Sequence, residues 1–433
     1  MHNLAGQRVL LASSIRWPVA AKLALAFLRH GCEVQAVCPA DHPFAYVRGI
    51  TKIYPYRGVD SLRSLYGAIT ATDPDLVVPC DDGVVWQLHE LHRTKQELRP
   101  LIERSLGAAT GYEAVASRGK FMKIVEELHV RAPRTRDIAS ADDLRDWFSE
   151  PGGSGDVKSG AMKAGVLKLD WTCGGTGVRV VRSLGEAERV LAEMRRPQTV
   201  GTAVGRWMLI HDALALWKWK NHREAVLTIQ EFVAGRPANT MMACRDGRVL
   251  ALVTVEVLYA RGVTGTALAV RLVENDEIRT AAERIAERLQ LSGFHGLDFI
   301  LEDGTGHEYL IELNPRCTQL GHLDVGSEGD LAGVFCRAFT GTPRQENQRP
   351  ICQKKIAFFP EALKSNPKCP FLERAYIDAP WEEPQLVHEL MGRDWRDRKL
   401  LARIYRALRP PNGTAVAFEA VASVDSDVPT RGI

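Results

Sequence analysis

The chain has 433 residues, 45% of them hydrophobic and 25% charged, with a formal net charge of +3. That length supports two or three domains with sizeable cores, while so small a net charge argues against a nucleic-acid partner or an anionic membrane surface, and no apolar run approaches the roughly 18 residues of a bilayer span. Nine cysteines occur without a C-x-x-C pair, which predicts reduced thiols and a cytoplasmic location; zinc spacings such as H-E-x-x-H are absent.

In chain order, RVLLAS reads as a buried strand. Its apolar core, Val9 to Ala12, is followed by Arg16 and Lys22, so it opens a fold and is not a signal peptide. Pro18 to His30 has helical periodicity and stops at Gly31. CEVQAVCP and PDLVVPC repeat the strand pattern. Strands alternating with helices predict a parallel sheet with right-handed crossovers, hence an α/β Rossmann-like domain over residues 1–115. SSIRWP stands where a dinucleotide-binding domain carries G-x-G-x-x-G. The Asp81-Asp82 turn is either an ordinary strand end or a place to recognise a cationic amine.

From Arg118 the texture changes. Helices are expected at Lys120 to Val130 and Ala141 to Phe148, then a Gly/Ser-rich surface loop from Glu150 to Gly160. GVLKLDWTCGGTGVRVV reads as two strands around a glycine-rich turn, followed by a helix from Leu184 to Met194. Ile229 to Leu258 reads as antiparallel strands turned at Asp246-Gly247, and a helix from Glu277 to Leu289 leads into a last hairpin. This part is α+β. From Gly341 the chain is rich in proline, aromatics and charge and carries no chemical motif.

That last hairpin, HGLDFILEDGTGHEYLIELNPR, holds the sharpest chemistry. Centred on Thr305, it sets Asp298 opposite Glu312, with Asn314 two residues on and on the same face. Facing carboxylates repel; a hard divalent cation such as Mg²⁺ turns the repulsion into attraction. Pro315 ends the strand, and Arg316 offers a planar fork for phosphate oxygens. The plain alternative is a solvated hairpin face. Lys168 precedes Gly174, Gly175, Thr176 and Gly177, whose backbone N–H groups can point at phosphate; this is not Walker A spacing, and a simple hairpin turn explains it as well. Lys120 opens a helix, and Gln230-Glu231-Phe232-Val233-Ala234-Gly235 is either a strand or a hinge whose backbone reads an adenine edge. Cys173 and Cys317 read as bystander thiols, and Trp217-Lys218-Trp219-Lys220 is too small a patch for nucleic acid.

Taken in order, a helix-start lysine, a lysine before a glycine loop, Q-E-F-V-x-G and D-x13-E-x-N-P-R resemble the ATP-grasp superfamily over residues 116–340, in particular its carbamoyl-phosphate-synthetase-like and amino-acid ligase members. The resemblance implies a pre-ATP-grasp domain at 1–115 and an ATP-grasp domain at 116–340, in subdomains 116–228 and 229–340. A C-terminal extension without assigned role occupies 341–433. It further implies ATP with Mg²⁺, or Mn²⁺ in its place. Lys120 and Lys168 would hold the α- and β-phosphates, with Gly174 to Gly177 over the γ-phosphate. Gln230, Glu231, Phe232 and Val233 would form the adenine hinge. Asp298, Glu312 and Asn314 would bind metal, and Arg316 would act with Lys168 in the phosphoryl transfer. Thr264, Gly265 and Arg271 are expected near phosphate or substrate. Pro237 and Ala238 replace the family's ribose-binding glutamate, which leaves Asn239 for that contact. The implied activity is a carboxylate–amine ligase working through an acyl phosphate on small-molecule carboxylate and amine substrates, with a homodimer as the base expectation. The alternatives are a small-molecule kinase, a carboxylate–thiol or –hydroxyl ligase, and a nucleotide-binding regulator without turnover.

Overall fold

The computed structural model describes residues 6–150, 164–170, 177–196, 199–201, 203–205, 219, 226–262, 265–325, 330–340, 351–392 and 416–417. The first sheet is parallel. Strands β1 (Arg8–Ala12), β2 (Glu33–Cys38), β3 (Ile50–Pro55) and β4 (Leu76–Pro79) stand in the order β3-β2-β1-β4. Helix α1 (Pro18–Arg29) connects β1 to β2 and α2 (Ser61–Thr72) connects β3 to β4, while α3 (Asp82–Thr94) and α4 (Arg99–Leu106) follow β4. Every residue of β4 is buried, as expected for a sheet covered on both faces.

A short helix α5 (Tyr112–Val115) leads to α6 (Arg118–Glu127). The latter begins two residues before the expected start because Ser117 caps it, its hydroxyl accepting from the Lys120 N–H. A second, antiparallel sheet of order β5-β8-β6-β7 follows: β5 (Thr135–Ile138), β6 (Gly165–Leu169), β7 (Val178–Val181) and β8 (Leu227–Glu231). Helices α7 (Ala141–Ser149) and α8 (Leu184–Met194) cover one face, burying Leu167, Ile229 and Val181 with Trp147 and Leu191. The period of two turns Lys168, Thr228 and Gln230 to the opposite face.

The third sheet is the largest, with β9 (Gly235–Arg245), β10 (Arg248–Ala260), β11 (Ala267–Leu272), β12 (Gly293–Glu302), β13 (Glu308–Asn314), β14 (Lys355–Ala357) and β15 (Tyr376–Ile377) in the order β13-β12-β9-β10-β11-β14-β15; β16 (Val416–Ala417) pairs with β10. Strand β9 is buried on both faces. Ala238, Met242 and Cys244 pack against Ile278 and Ile285 of α9 (Asp276–Leu289). Met241 and Ala243 join a core that also takes Val9 and Leu11 of β1, Phe27 of α1 and Phe335 of α10 (Leu331–Thr340). Gly107, at φ +106°, lets the end of α4 approach the start of β12: a Cβ there would lie 2.3 Å from the Gln290 carbonyl oxygen.

The sequence offers no role for the C-terminal extension, yet residues 351–392 are part of the same core. Ile356, Phe358, Phe359, Leu386 and Leu390 bury with β1 and α1, helped by α11 (Glu361–Ser365) and α12 (Pro384–Met391). Asp378 accepts from Lys22 Nζ at 2.6 Å and from the Phe359 N–H, and lies 2.9 Å from His322 Nε2. Among the described residues no helix is long and apolar enough to cross a membrane. The fold class is as expected: a parallel α/β sheet first, then predominantly antiparallel α+β structure.

Candidate active site

The hairpin of β12 and β13 places Asp298 directly opposite Glu312, and Gly296 opposite Asn314. Near the turn the strands pair one step away from symmetry about Thr305, Leu301 facing Glu308 and Phe299 facing Leu310. A bulge then inserts Ile311, which has no partner on β12, and resets the register for the acids. On its other side Asp298 faces Asn239 of β9. Asn239, Asp298, Glu312 and Asn314 therefore share one face of the sheet. It is the face on which Met241, two residues along from Asn239, packs with β1. Asp298 Oδ1 accepts from Asn239 Nδ2 at 2.7 Å and Oδ2 from Asn314 Nδ2 at 3.0 Å.

Across the cleft, the buried Lys168 comes from the second sheet. Its Nζ donates to Gln230 Oε1 at 2.6 Å and to the carbonyl of the bulged Ile311 at 3.2 Å. Gln230 is its diagonal cross-strand neighbour and is itself held by Thr135 at 3.0 Å. Burial pushes the Lys168 ammonium down to about 8, with Glu312 and Asp298 working in the opposite direction.

Arg118, the first residue of α6, joins the two sides. One arm donates to Asp170 Oδ1 and the other to Glu312 Oε1, both at 2.7 Å, and its side chain is only 8% exposed. Desolvation would raise the Glu312 carboxyl, but Arg118 and then Lys168 outweigh it and hold it below the usual carboxylate range. Asp298 has only neutral amides as hydrogen-bond partners among the described residues. Desolvation, then the charge of Glu312, push its carboxyl up to about 6, against the partial relief given by those two amides. Such a pair fits a hard divalent cation, because the acid that the protein leaves uncompensated is the one a metal would neutralise. Among the described residues no three His, Cys, Asp or Glu side chains gather as a complete cage; two carboxylates and the Asn314 amide oxygen suit an ion that takes its remaining oxygens from substrate and water.

Arg316 Nε donates to Asp82 Oδ1 at 3.0 Å, and its guanidinium lies over the Trp17 ring at 5.3 Å. Asp82 begins α3, so Arg316 ties the hairpin to the carboxyl end of the first sheet. Asp81 is spent internally: it accepts from Ser13 Oγ, from the Ser14 N–H and hydroxyl, and from the Val84 N–H.

The remaining predicted residues fall as follows. Lys120 is half-exposed and paired with Glu113. Gly177 closes the β6–β7 hairpin, its carbonyl accepting the Leu169 N–H at 2.9 Å; Gly174, Gly175, Thr176, Cys173 and Thr264 lie outside the described residues. Gln230 and Glu231 end β8, with the Glu231 N–H bonded to the Arg134 carbonyl. Phe232 is exposed, and Val233 and Ala234 run into Gly235, where a Cβ would meet the Leu301 carbonyl oxygen at 2.1 Å. Arg271 pairs with the buried Glu256 at 2.6 Å. Asn239, expected at the ribose, donates its amide N–H to Asp298, because β9 is the direct neighbour of β12. Sequence reasoning misses Asp170, Arg118 and Asp82 as partners of these groups. Asp170 carries a legible signal, since i and i+2 on a strand share a face with Lys168; nothing local marks Arg118.

Residues 212–319 match a family model described as an ATP-grasp domain. No curated protein sequence matches the chain. Among solved structures, a carboxyaminoimidazole ribonucleotide synthase from Aspergillus clavatus complexed with ATP superposes with a TM-score of 0.57 at 13% identity, covering 81% of this chain and 80% of that one. The biotin carboxylase domain of the Hydrogenobacter thermophilus 2-oxoglutarate carboxylase, in complex with MgADP, ADP and bicarbonate, gives 0.56 at 15% identity over 79% and 71%. An N5-carboxyaminoimidazole synthetase from Staphylococcus aureus gives 0.53 at 10% identity over 78% of each chain. At such identities the likeness is one of fold, and the matched domain contains the acid hairpin itself. Residues 212–319 thus match an ATP-grasp domain, and the chain shares the fold of these solved structures.

Proposed function

We propose that the protein is an ATP-dependent carboxylate–amine ligase that forms an amide-type bond through an acyl phosphate and releases ADP and phosphate. The observation that carries this reading is the meeting of Asp298 and Glu312 across one hairpin, beneath a buried lysine delivered by a different sheet. A carboxylate is a poor electrophile, being anionic with oxide as its leaving group; phosphorylation supplies phosphate as the leaving group. The protein's part is to position the reactants and neutralise charge.

In this reading Asp298, Glu312 and Asn314 would hold Mg²⁺, which would supply neutralisation of the nucleotide's phosphate charge. Lys168 and Lys120 hold phosphate oxygens. Gln230 keeps the Lys168 ammonium aimed across the cleft, and the backbone from Glu231 to Val233 receives the adenine. Gly174 to Gly177 exclude water from the acyl phosphate. Arg316 is set beside the transferring group, and Asp82 fixes its guanidinium. Asn239 orients Asp298 through its amide N–H. The ATP and MgADP bound to structures of the same fold support the nucleotide and the metal.

The test incubates the enzyme with ATP, Mg²⁺ and a panel of amino acids and small carboxylates and follows phosphate release. A carboxylate- and amine-dependent release with an amide product is expected. Silence across a broad panel, with nucleotide binding intact, would instead identify a regulatory nucleotide-binding protein. ADP without free phosphate would identify a kinase.

A further inference from the structure

The end of α1 and the middle of α10 bring together two thiols that the ligase chemistry leaves unused. Cys32 Sγ and Cys336 Sγ lie 3.1 Å apart, across 304 residues of chain. Both are free, buried thiols, and their separation is about 1 Å longer than a sulfur–sulfur bond. Each is fixed by its own element. Gly31, at φ +74°, closes α1: its N–H bonds the Leu28 carbonyl and the Cys32 N–H bonds the Phe27 carbonyl, which sets Cys32 directly after the helix. Helix α10 is capped by Asp330, which accepts from the Gly333 N–H at 2.7 Å. The same carboxylate lies 3.0 Å from His30 Nε2, two residues before Cys32. Gly333 permits that approach, since a Cβ there would lie 2.3 Å from His30 Nε2. The two elements are therefore clamped beside the sulfurs. Cys32 is flanked by exposed Gly31 and Glu33, which puts it close beneath the surface. The hydrogen bond from Cys336 holds the Cys32 thiol below its ordinary range, against burial and the nearby Asp330, so Cys32 is the better nucleophile of the two.

We propose that Cys32 and Cys336 form an oxidative modification site, at which hydrogen peroxide converts them to a disulfide that staples the first domain to α10. The Cys32 thiolate attacks one peroxide oxygen and breaks the O–O bond, leaving a sulfenic acid and a hydroxide that takes up the Cys32 proton. Cys336 Sγ then attacks Cys32 Sγ. The sulfur–sulfur bond forms, the sulfenic oxygen departs as hydroxide, and the Cys336 proton converts it to water. The two thiols lose two electrons between them and one peroxide becomes two waters. The closed loop encloses the acid hairpin and the whole small antiparallel sheet. Such a crosslink acts chiefly by restricting the unfolded chain, and long loops gain most. The inference is independent of what the cleft binds.

The experiment treats the full chain with a few equivalents of peroxide, removes the excess with catalase, alkylates in denaturant and digests without reductant. The expected result is a peptide pair joined through Cys32 and Cys336 in a protein lighter by about 2 Da, with a thermal midpoint raised by roughly 5–10 °C and returned by dithiothreitol. Cys32→Ala and Cys336→Ala should each lose the link and the shift, and Cys336→Ala should retain a Cys32 sulfenic acid that dimedone labels. Should either variant fail to fold, the wild-type peptide map decides. Cys32 and Cys336 both remaining open to alkylation, a link to some other cysteine, or a linked protein with an unchanged midpoint overturns the proposal.

Discussion

Asp298 makes the acid pair measurable without knowing any substrate. Its carboxyl is pushed up to about 6 by desolvation and by Glu312, against about 3.9 in an unfolded chain. The folded pKa lies above the unfolded one, so the stabilising contribution is fully present below the unfolded value and is lost as pH rises through the folded value. A pKa difference of one between folded and unfolded states is worth about 1.4 kcal/mol, which makes the full cost of ionising Asp298 on the order of 3 kcal/mol, and about 2 kcal/mol of it falls between about pH 4.5 and about pH 7.5. Asp298→Asn removes the charge but also one acceptor. Asn239 and Asn314 both donate to the present carboxylate, and one of these donors would face an N–H, costing about 1–2 kcal/mol. In EDTA at neutral pH the variant should therefore equal or exceed the wild type in stability, and the difference should move in its favour by about 2 kcal/mol from the acid to the neutral condition. Urea denaturation at the two pH values reads this. Saturating Mg²⁺ with ADP should stabilise the wild type more at neutral than at acid pH, and the variant little at either. A stability difference that does not change with pH, or a variant stabilised by metal as strongly as the wild type, would refute the reasoning.

Lys168→Met should lower ATP-dependent turnover by roughly 10²–10³-fold, the scale for losing one preorganised charge at developing phosphoryl charge, and should strand the Gln230 and Ile311 oxygens it now satisfies; kcat, nucleotide affinity and the melting curve together check this. Asp378→Ala leaves Lys22 and His322 without their shared acceptor in a buried setting and should cost about 3–5 kcal/mol in urea unfolding. That loss, far from the acid hairpin in sequence, tests whether the extension is structural. Phe358→Ala, which empties a fully buried site in the same core, should cost about 3–5 kcal/mol, and a near-neutral result would mean that the extension is not docked as described.

Much of this molecule is readable along the chain because its signals are local. The α8 limits coincide with the expected Leu184 to Met194, set by the Ser183 cap and an amphipathic period. The turn at Asp246-Gly247 joins β9 to β10, since both residues adopt positive φ there. The acid hairpin is the same kind of inference, and the facing of Asp298 with Glu312 follows from a two-residue period and a short loop. Even so, that register depends on the bulge at Ile311, which no local residue announces and which also frees the carbonyl that Lys168 finds.

Local pattern therefore establishes the elements, the fold class and the residue types that the chemistry needs: the acids, the lysines and the fork of Arg316. The company these groups keep is a matter of three-dimensional packing. Arg118 meets Glu312 across 194 residues, Arg316 meets Asp82 across 234, and Lys22 meets Asp378 across 356. Period and propensity fix dihedrals and faces within a few residues, whereas these pairings depend on how whole sheets stack. The same limit explains why the extension reads as an appendage and folds as core. Its apolar residues are ordinary one by one, and only β11, offering an edge to β14, gives them a place to be buried.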